Sequence, residues 1–369
     1  MKIAVPIHSF EPGGVERVAL NLCAAWQDSG EEVTVVLGRE DGAMRQTAPA
    51  LDYALLPEPV PTAAFETLWM IRVLRRYLAR EKADVVFASG NTYGIVAVAM
   101  KLLLGRRCPP VAIKLSNDLY RRDMVAPYRK AYHWWLRMQG RWLDHFVGMA
   151  QPMRAEIAEL MQVGDDRITI IEDPSLAERQ FAALAALPRL AALPRAPHYV
   201  AVGRLARQKN FPLLLRAFAR LDDRSARLTI VGEGAERAKL ERLAAELGIS
   251  DRLEMPGHVA DPLPYLSAAS AFVLSSDYEG VPAVVIEALA AGLPLVATRC
   301  SVSLPGLLGE GAFGQLVAVG DEAAFSRGMA DVLAMPFDPA AARAYAEPFR
   351  ISRAADRYRD LFAKLAASG

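Results

Sequence analysis

Three cysteines, no apolar run of membrane length and a net charge of only +1 characterise this chain of 369 residues. The cysteines, Cys23, Cys108 and Cys300, are scattered and form no C-x-x-C pair, so neither a disulfide framework nor a thiolate metal site is expected. No stretch approaches the roughly 20 apolar residues of a spanning helix, since residues 95–104 are interrupted by Lys101. The opening run of residues 1–7 is too short for a signal peptide and reads as a first strand, which makes the expected location cytoplasmic. No Asp-x-Asp occurs to hold a divalent ion, and no metal is expected. No G-x-G-x-x-G follows the first strand of either half of the chain, which argues against a dinucleotide dehydrogenase. A near-neutral balance without a recognisable module argues against nucleic acid as partner.

What is present is an alternation of short β-branched runs with amphipathic helical segments, read as doubly wound α/β. Strands are expected at 2–7, 32–37, 85–88, 111–115, 145–148 and 168–171. A second series is expected at 198–203, 227–231, 253–255, 271–274, 294–298 and 315–319. The length suits two domains. They are drawn at 1–172 and 198–345, with an alanine- and proline-rich crossing at 173–197 and a helical tail from 346 to 369. Two such domains suit a ligand at the carboxyl ends of the strands.

The most informative stretch is Ser275-Ser276-Asp277-Tyr278-Glu279-Gly280-Val281-Pro282, running on to Glu287 and Gly292-Leu293-Pro294. It reads as strand, tight turn, helix, strand. Glu279 stands before the helix and Glu287 inside it, roughly 10–12 Å apart at the α-helical rise. Free amides at Gly280, Val281 and Ala283 would open that helix toward an anion. Upstream, Gly203-Arg204-Leu205-Ala206-Arg207-Gln208-Lys209-Asn210 follows a strand with two cations, Arg204 and Lys209, suited to a diphosphate, and Asn210 is placed to cap the next helix. Gly232 and Gly257-His258-Val259 end the next two strands of that half. In the first half, Gly13-Gly14 precedes a helix and reads as an anion nest.

The E-x7-E segment with its Gly-Val-Pro, and the G-R-L-x-x-x-K-N element before it, resemble the retaining glycosyltransferases of the family-4 type. The resemblance implies the GT-B fold, two Rossmann-like domains facing a cleft, with the C-terminal helix returning to the first domain. It implies transfer of a sugar from a UDP- or GDP-sugar to a hydroxyl of a glycan or lipid-linked acceptor, with no cofactor beyond that donor. Arg204 and Lys209 would bind the diphosphate and Glu287 the ribose. Glu279 with Gly280, Val281 and Pro282 would take the donor sugar. Gly203 would let the backbone turn, Gly232 and Val259 would wall the base, and Gly13 and Gly14 would approach the diphosphate.

The sequence departs from the family twice. Where many relatives carry a histidine near the reacting sugar, this chain has Ser116-Asn117-Asp118: Asn117 or Ser116 could hydrogen-bond the sugar there, and Asp118 could orient the acceptor hydroxyl. After Thr298 it has Arg299-Cys300-Ser301-Val302-Ser303 rather than a glycine-rich acidic run. The alternatives are a sugar-nucleotide 2-epimerase of the same fold and a non-catalytic sugar-nucleotide-binding subunit.

Charge is uneven along the chain. Residues 69–145 hold 15 basic and five acidic side chains, interleaved with Trp134, Trp135 and Trp142. Such a surface suits anionic lipid headgroups and a peripheral position on the inner face of the cell membrane.

Overall fold

The computed structural model describes residues 1–11, 13–116, 119–121, 124–187, 196–259 and 261–368. It divides into two compact units, Met1–Ala177 with Ile351–Gly369, and Glu178–Arg350.

The first unit carries a seven-stranded parallel sheet among its described residues: β1 (Lys2–Ile7), β2 (Glu32–Leu37), β3 (Asp52–Ala54), β4 (Val85–Ala88), β5 (Val111–Lys114), β6 (His145–Gly148) and β7 (Ile168–Ile170), in the order β3-β2-β1-β4-β5-β6-β7. Its helices are α1 (Gly14–Asp28), α2 (Glu66–Leu78), α3 (Gly94–Leu104), α4 (Ala126–Trp142) and α5 (Met153–Met161). The strands are continuous apolar runs because helices cover both faces of a parallel sheet. Helix α1 buries Ala19, Leu22, Cys23 and Trp26, at spacings that place them on one face.

The last helix, Ile351–Ser368, belongs to this unit. Tyr358 and Phe362 pack edge-on against Trp26, with ring centroids 5.9 and 5.2 Å away, and Tyr358 also meets Phe87 at 5.0 Å. The Trp26 indole N–H donates to the Ala355 carbonyl at 3.1 Å. Burying each large apolar side chain of this kind contributes roughly 1.5–3 kcal/mol.

The second unit opens with α6 (Glu178–Ala185) and holds a six-stranded parallel sheet: β8 (His198–Val202), β9 (Arg227–Val231), β10 (Leu253–Gly257), β11 (Ala271–Leu274), β12 (Leu295–Thr298) and β13 (Gly314–Val317). The order is β10-β9-β8-β11-β12-β13. Helices α7 (Phe211–Ala219), α8 (Arg237–Glu246), α9 (Leu263–Ala268), α10 (Ala283–Ala290), α11 (Leu304–Leu307), α12 (Glu322–Ala334) and α13 (Pro339–Ala346) connect them. Leu213, Leu214, Ala217 and Phe218 of α7 fill its core beside Phe325 and Met329 of α12.

Three details differ from the sequence reading. Strand β3 was not foreseen, for three edge residues leave too little alternation to detect. Helix α6 lies inside 173–197, the stretch read as a crossing; its Ala- and Leu-containing residues favour helix, and the prolines at 188, 194 and 197 follow it. The tail drawn at 346–369 is a single helix, Ile351–Ser368, that starts later than expected, because a 3₁₀ turn at Glu347–Phe349 containing Pro348 parts it from α13.

Burial and the neighbouring Arg167 cation push His145 down to about 4, and burial also lowers His8 and His198. In the unfolded chain these rings titrate near their ordinary value of about 6.5. Between those limits the unfolded state binds more protons, so stability is full above about pH 6.5 and is lost as pH falls. The thermal midpoint is expected to drop between about pH 6.5 and pH 5, above the carboxylate range. His145→Gln should flatten that slope; an unchanged slope would remove His145 from the account.

Candidate functional site

In the second sheet the connections from β8 and β11 leave in opposite directions, so the β8/β11 boundary is the topological switch point where open α/β sheets bind ligands. The loops leaving these two strands are sewn together there. The Asp277 amide donates to the Gln208 carbonyl at 2.8 Å, and the Ser275 hydroxyl to the Lys209 carbonyl at 2.8 Å. The Gln208 side-chain amide donates to the Tyr278 carbonyl at 2.9 Å. Asn210, in a left-handed conformation (φ 43°), accepts from the Leu213 amide at 3.3 Å as the cap of α7. Its side-chain N–H₂ donates to Asp277 Oδ1 at 2.7 Å.

At the centre lies an ion pair. Lys209 Nζ donates to Glu279 Oε1 at 2.6 Å, with the two side chains 18% and 11% exposed. The buried Ser276 hydroxyl donates to the same oxygen at 2.7 Å, and Gln208 reaches Oε2 at 3.4 Å. Three donors thus fix the Glu279 carboxylate, while the ammonium keeps two further N–H groups to offer.

The loop after β12 holds this turn from the other side. The Glu279 amide donates to the Cys300 carbonyl at 3.0 Å. The hydroxyls of Ser301 and Ser303 both donate to the Gly280 carbonyl, the latter at 2.9 Å. In a trans peptide the N–H of Val281 points opposite to that carbonyl, so pinning the one aims the other. The amides of Gly280 and Val281 meet no acceptor among the described residues. Both precede Pro282 and the start of α10, the positive end of the helix dipole. Burial pushes the Cys300 thiol up to about 12, so it is no nucleophile at neutral pH.

Glu287, in the second turn of α10, is held separately, its Oε1 accepting from the Gln180 side-chain amide of α6 at 2.9 Å. The Arg204 side chain is exposed and makes no ion pair or hydrogen bond among the described residues, while its carbonyl accepts from the Ala206 amide at 2.8 Å. Gly203 donates its amide to the Val231 carbonyl, and Gly232 donates to the Gly257 carbonyl, each at 2.9 Å, which ties the ends of β8, β9 and β10 into one rim with half-buried Val259 just beyond. Gly232 has φ +149°, and a Cβ there would stand 1.9 Å from the Gly203 carbonyl oxygen, so only glycine allows the approach.

The structure therefore gathers Gly203, Lys209, Gly232, Glu279, Gly280, Val281 and Pro282 around one switch point. Asn117 lies outside the described residues. Gly13 and Gly14 belong to the first unit. Gly13, extended at φ −132°, is the N-cap of α1, and a Cβ on it would meet the Glu16 carboxylate, whereas one on Gly14 would meet nothing within 4 Å. Sequence reasoning missed Gln208, Ser276, Ser301 and Ser303 as holders of the turn, and Gln180 as the partner of Glu287. Spacing carried no signal for them, because Gln208 and Gln180 act on residues 71 and 107 positions away. Among the described residues no cluster of three or more His, Cys, Asp or Glu is disposed to hold a metal ion.

Fold and site together define a class: two parallel Rossmann-like units, with a Lys–Glu pair at the switch point of the second. The model for glycosyl transferases group 1 matches residues 190–348, and that for glycosyltransferase family 4 matches residues 12–174. The chain belongs to the GT-B glycosyltransferases.

Among curated proteins it is similar to the lipopolysaccharide core biosynthesis glycosyltransferase LpsE of Rhizobium meliloti (strain 1021), 36% identical over 38% of this chain and 40% of that one. It is also similar to the N-acetylgalactosamine-N,N'-diacetylbacillosaminyl-diphospho-undecaprenol 4-alpha-N-acetylgalactosaminyltransferase of Campylobacter jejuni, 34% identical over 36% of each. The chain thus spans well under half the length of these relatives. Among solved structures, the apo lipopolysaccharide outer core galactosyltransferase WaaB superposes with a TM-score of 0.77 at 17% identity, over 99% of this chain and 100% of that one. Anabaena HepE in complex with UDP gives 0.75 at 16%, over the same shares. These likenesses show the fold. The comparisons do not favour the epimerase alternative.

Gly232→Ala is expected to force the Gly203 loop outward, costing about 1–3 kcal/mol of strain. The melting midpoint of the second unit should fall by about 2–4 °C per kcal/mol. A variant melting with the parent protein would show that the close approach is not required.

Proposed function

We propose that this chain transfers a glycosyl group, with retention of configuration, from a UDP- or GDP-sugar to a hydroxyl of a glycan or glycolipid acceptor in the assembly of cell-surface polysaccharide or lipid-linked glycan. The observation that carries the reading is the Glu279 carboxylate fixed by Lys209 and Ser276 at the switch point, with the Gly280 and Val281 amides aimed past it. The printed names of the relatives support the acceptor class, since one acts in lipopolysaccharide core biosynthesis and another on a diphospho-undecaprenol glycan. The UDP in the HepE structure supports the donor class.

In this reading Lys209 and Arg204 take the diphosphate, and its negative charge draws the ammonium partly away from Glu279. Glu279 accepts from the donor sugar's hydroxyls, Glu287 from the ribose, and Gly232 and Val259 wall the base. As the glycosidic C–O bond breaks, the leaving oxygen gains charge that the two cations and the Gly280 and Val281 amides stabilise. The acceptor oxygen bonds to the anomeric carbon on the face the diphosphate leaves, and its proton passes to the leaving phosphate oxygen. The products are the glycosylated acceptor and the nucleoside diphosphate. In the place where relatives carry a histidine, Asn117 or Ser116 hydrogen-bonds the sugar, or Asp118 orients the acceptor hydroxyl. With two cations and helix amides supplying positive charge, the transfer is expected to survive chelation of divalent ions.

Thermal-shift titration with UDP, GDP and their common sugar conjugates tests the donor site. One nucleotide family should raise the midpoint, by about 2.7 kcal/mol of stability at a hundredfold excess over Kd. Lys209→Ala and Glu287→Ala, checked for folding by circular dichroism, should lose that shift. Proton NMR of the product should show the donor's anomeric configuration, and an inverted product would overturn the retaining assignment. Full turnover by Glu279→Ala would sink the site itself.

A further inference from the structure

Helix α6 has only eight residues, too few to be stable as an isolated helix in water, so its neighbours fix it where it lies. The Arg350 guanidinium, just before the last helix, pairs with Glu178 and stands over the Phe181 ring, 5.3 Å from its centroid. Past the end of α6, Arg343 of α13 donates to the Leu187 carbonyl at 2.6 Å. The same guanidinium reaches the Ala291 carbonyl, at the end of α10, at 3.4 Å. Helix α6 packs on α10. Leu184 is buried, and Gln180, one turn earlier on the same face, is half-buried.

Helix α10 has one polar side chain, Glu287, set among the buried Val285, Ile286, Ala288 and Leu289. A glutamate ends in a broad, roughly two-fold torsion, so the helix alone does not set the plane of its carboxylate. Gln180 sets it, its side-chain N–H₂ donating to Oε1 at 2.9 Å from a helix that is itself clamped. Joining the two helices does not require this contact, because Leu184 and the Arg343 bridge already do so. A half-buried carboxylate also carries a desolvation cost that an apolar residue would avoid.

A ribose presents two adjacent hydroxyls, and a carboxylate accepts from both only when its plane faces the pair. A carboxylate already held in one orientation loses less freedom on binding them. We propose that Gln180 is a positioning residue that, by fixing Glu287, sets a preference for ribose over deoxyribose in the nucleotide donor. It acts through Glu287 and makes no contact with the nucleotide. The role rests on the reading of Glu287 as the acceptor of the ribose hydroxyls.

Isothermal titration calorimetry of the full chain with UDP, GDP, dUDP and dGDP tests it. The ribonucleotide that binds is expected to do so about tenfold more tightly than its deoxy counterpart, the worth of one hydrogen bond to a charged group. Gln180→Met keeps the length and helix propensity of the side chain but lacks the donor. It should reduce the ratio to about twofold or less, by weakening the ribonucleotide while the deoxynucleotide keeps its affinity. Gln180→Lys, which restores a donor, should recover most of the preference. The exposed Arg179→Ala, on the same helix, should leave both affinities unchanged. An unchanged ratio in Gln180→Met overturns the proposal, and so does equal weakening of both nucleotides, which a merely loosened helix would give. Glu287→Ala separates the possible failures. If it keeps the parent's ratio, the ribose assignment of Glu287 is wrong. If it abolishes the ratio while Gln180→Met keeps it, the donor site stands and Gln180 has no part in it. Binding of neither ribonucleotide by the parent overturns the donor site and the role of Gln180 together.

Discussion

The second unit is organised around the ion pair between Lys209 and Glu279, which joins two loops 70 residues apart at the carboxyl ends of the central strands β8 and β11. Both partners are largely withdrawn from water, so each needs the other, and leaving either buried without a partner would cost about 1–3 kcal/mol. The surrounding hydrogen bonds from Gln208, Ser275, Ser276 and Asn210 then follow as the means of holding two strand ends close enough for that contact. The same closeness requires Gly232, because the neighbouring strand end must pass within touching distance of the Gly203 carbonyl. A charge pair, a glycine and a set of serines thus express one constraint. Substrate groups that engage Lys209 or Glu279 must compete with contacts already made, which favours ligands rich in both hydroxyls and phosphate charge.

The loop after β12 shows how a departure from a family pattern can preserve geometry. Where relatives often carry a glycine-rich acidic run, this chain places Ser301 and Ser303, and both hydroxyls converge on the Gly280 carbonyl. Their effect on the amides beyond is indirect, through the rigidity of one peptide plane. A loop that shapes the turn through the Gly280 carbonyl is compatible with an anion-facing helix start.

Much of the fold was legible because a doubly wound chain writes its alternation plainly. Strands 2–7, 32–37, 85–88, 145–148, 227–231 and 271–274 were placed to the residue, each being an apolar run between turn residues. The cap at Asn210 was equally readable, since Asn before Phe-Pro is a local signal with a local cause. What stayed hidden was short or distant. Strand β3 has three residues at an edge, and α6 sat among prolines that drew attention to the crossing. Gln180, Gln208 and the two serines matter through residues far along the chain, and no spacing rule connects position 180 to 287. Residues of the site that turn the backbone or carry charge are visible in sequence; those that position another side chain become visible only when the fold brings them together.

The last helix carries a consequence for how the protein is made. Trp26, Phe87, Tyr358 and Phe362 form one aromatic cluster, so the core of the first unit is closed by residues that leave the ribosome only after the whole second unit. The second unit is continuous in sequence and has all its strands once residue 317 has emerged. At about 5–20 residues per second the nascent chain spends many seconds with Trp26 and Phe87 lacking their final partners. Synthesis therefore reverses the order of the chain: the later unit can mature first, and the earlier one waits, apolar surface uncovered, for the closing helix. Removing the helix Ile351–Ser368 would strand the first unit in that unfinished state, a natural substrate for chaperones and proteases.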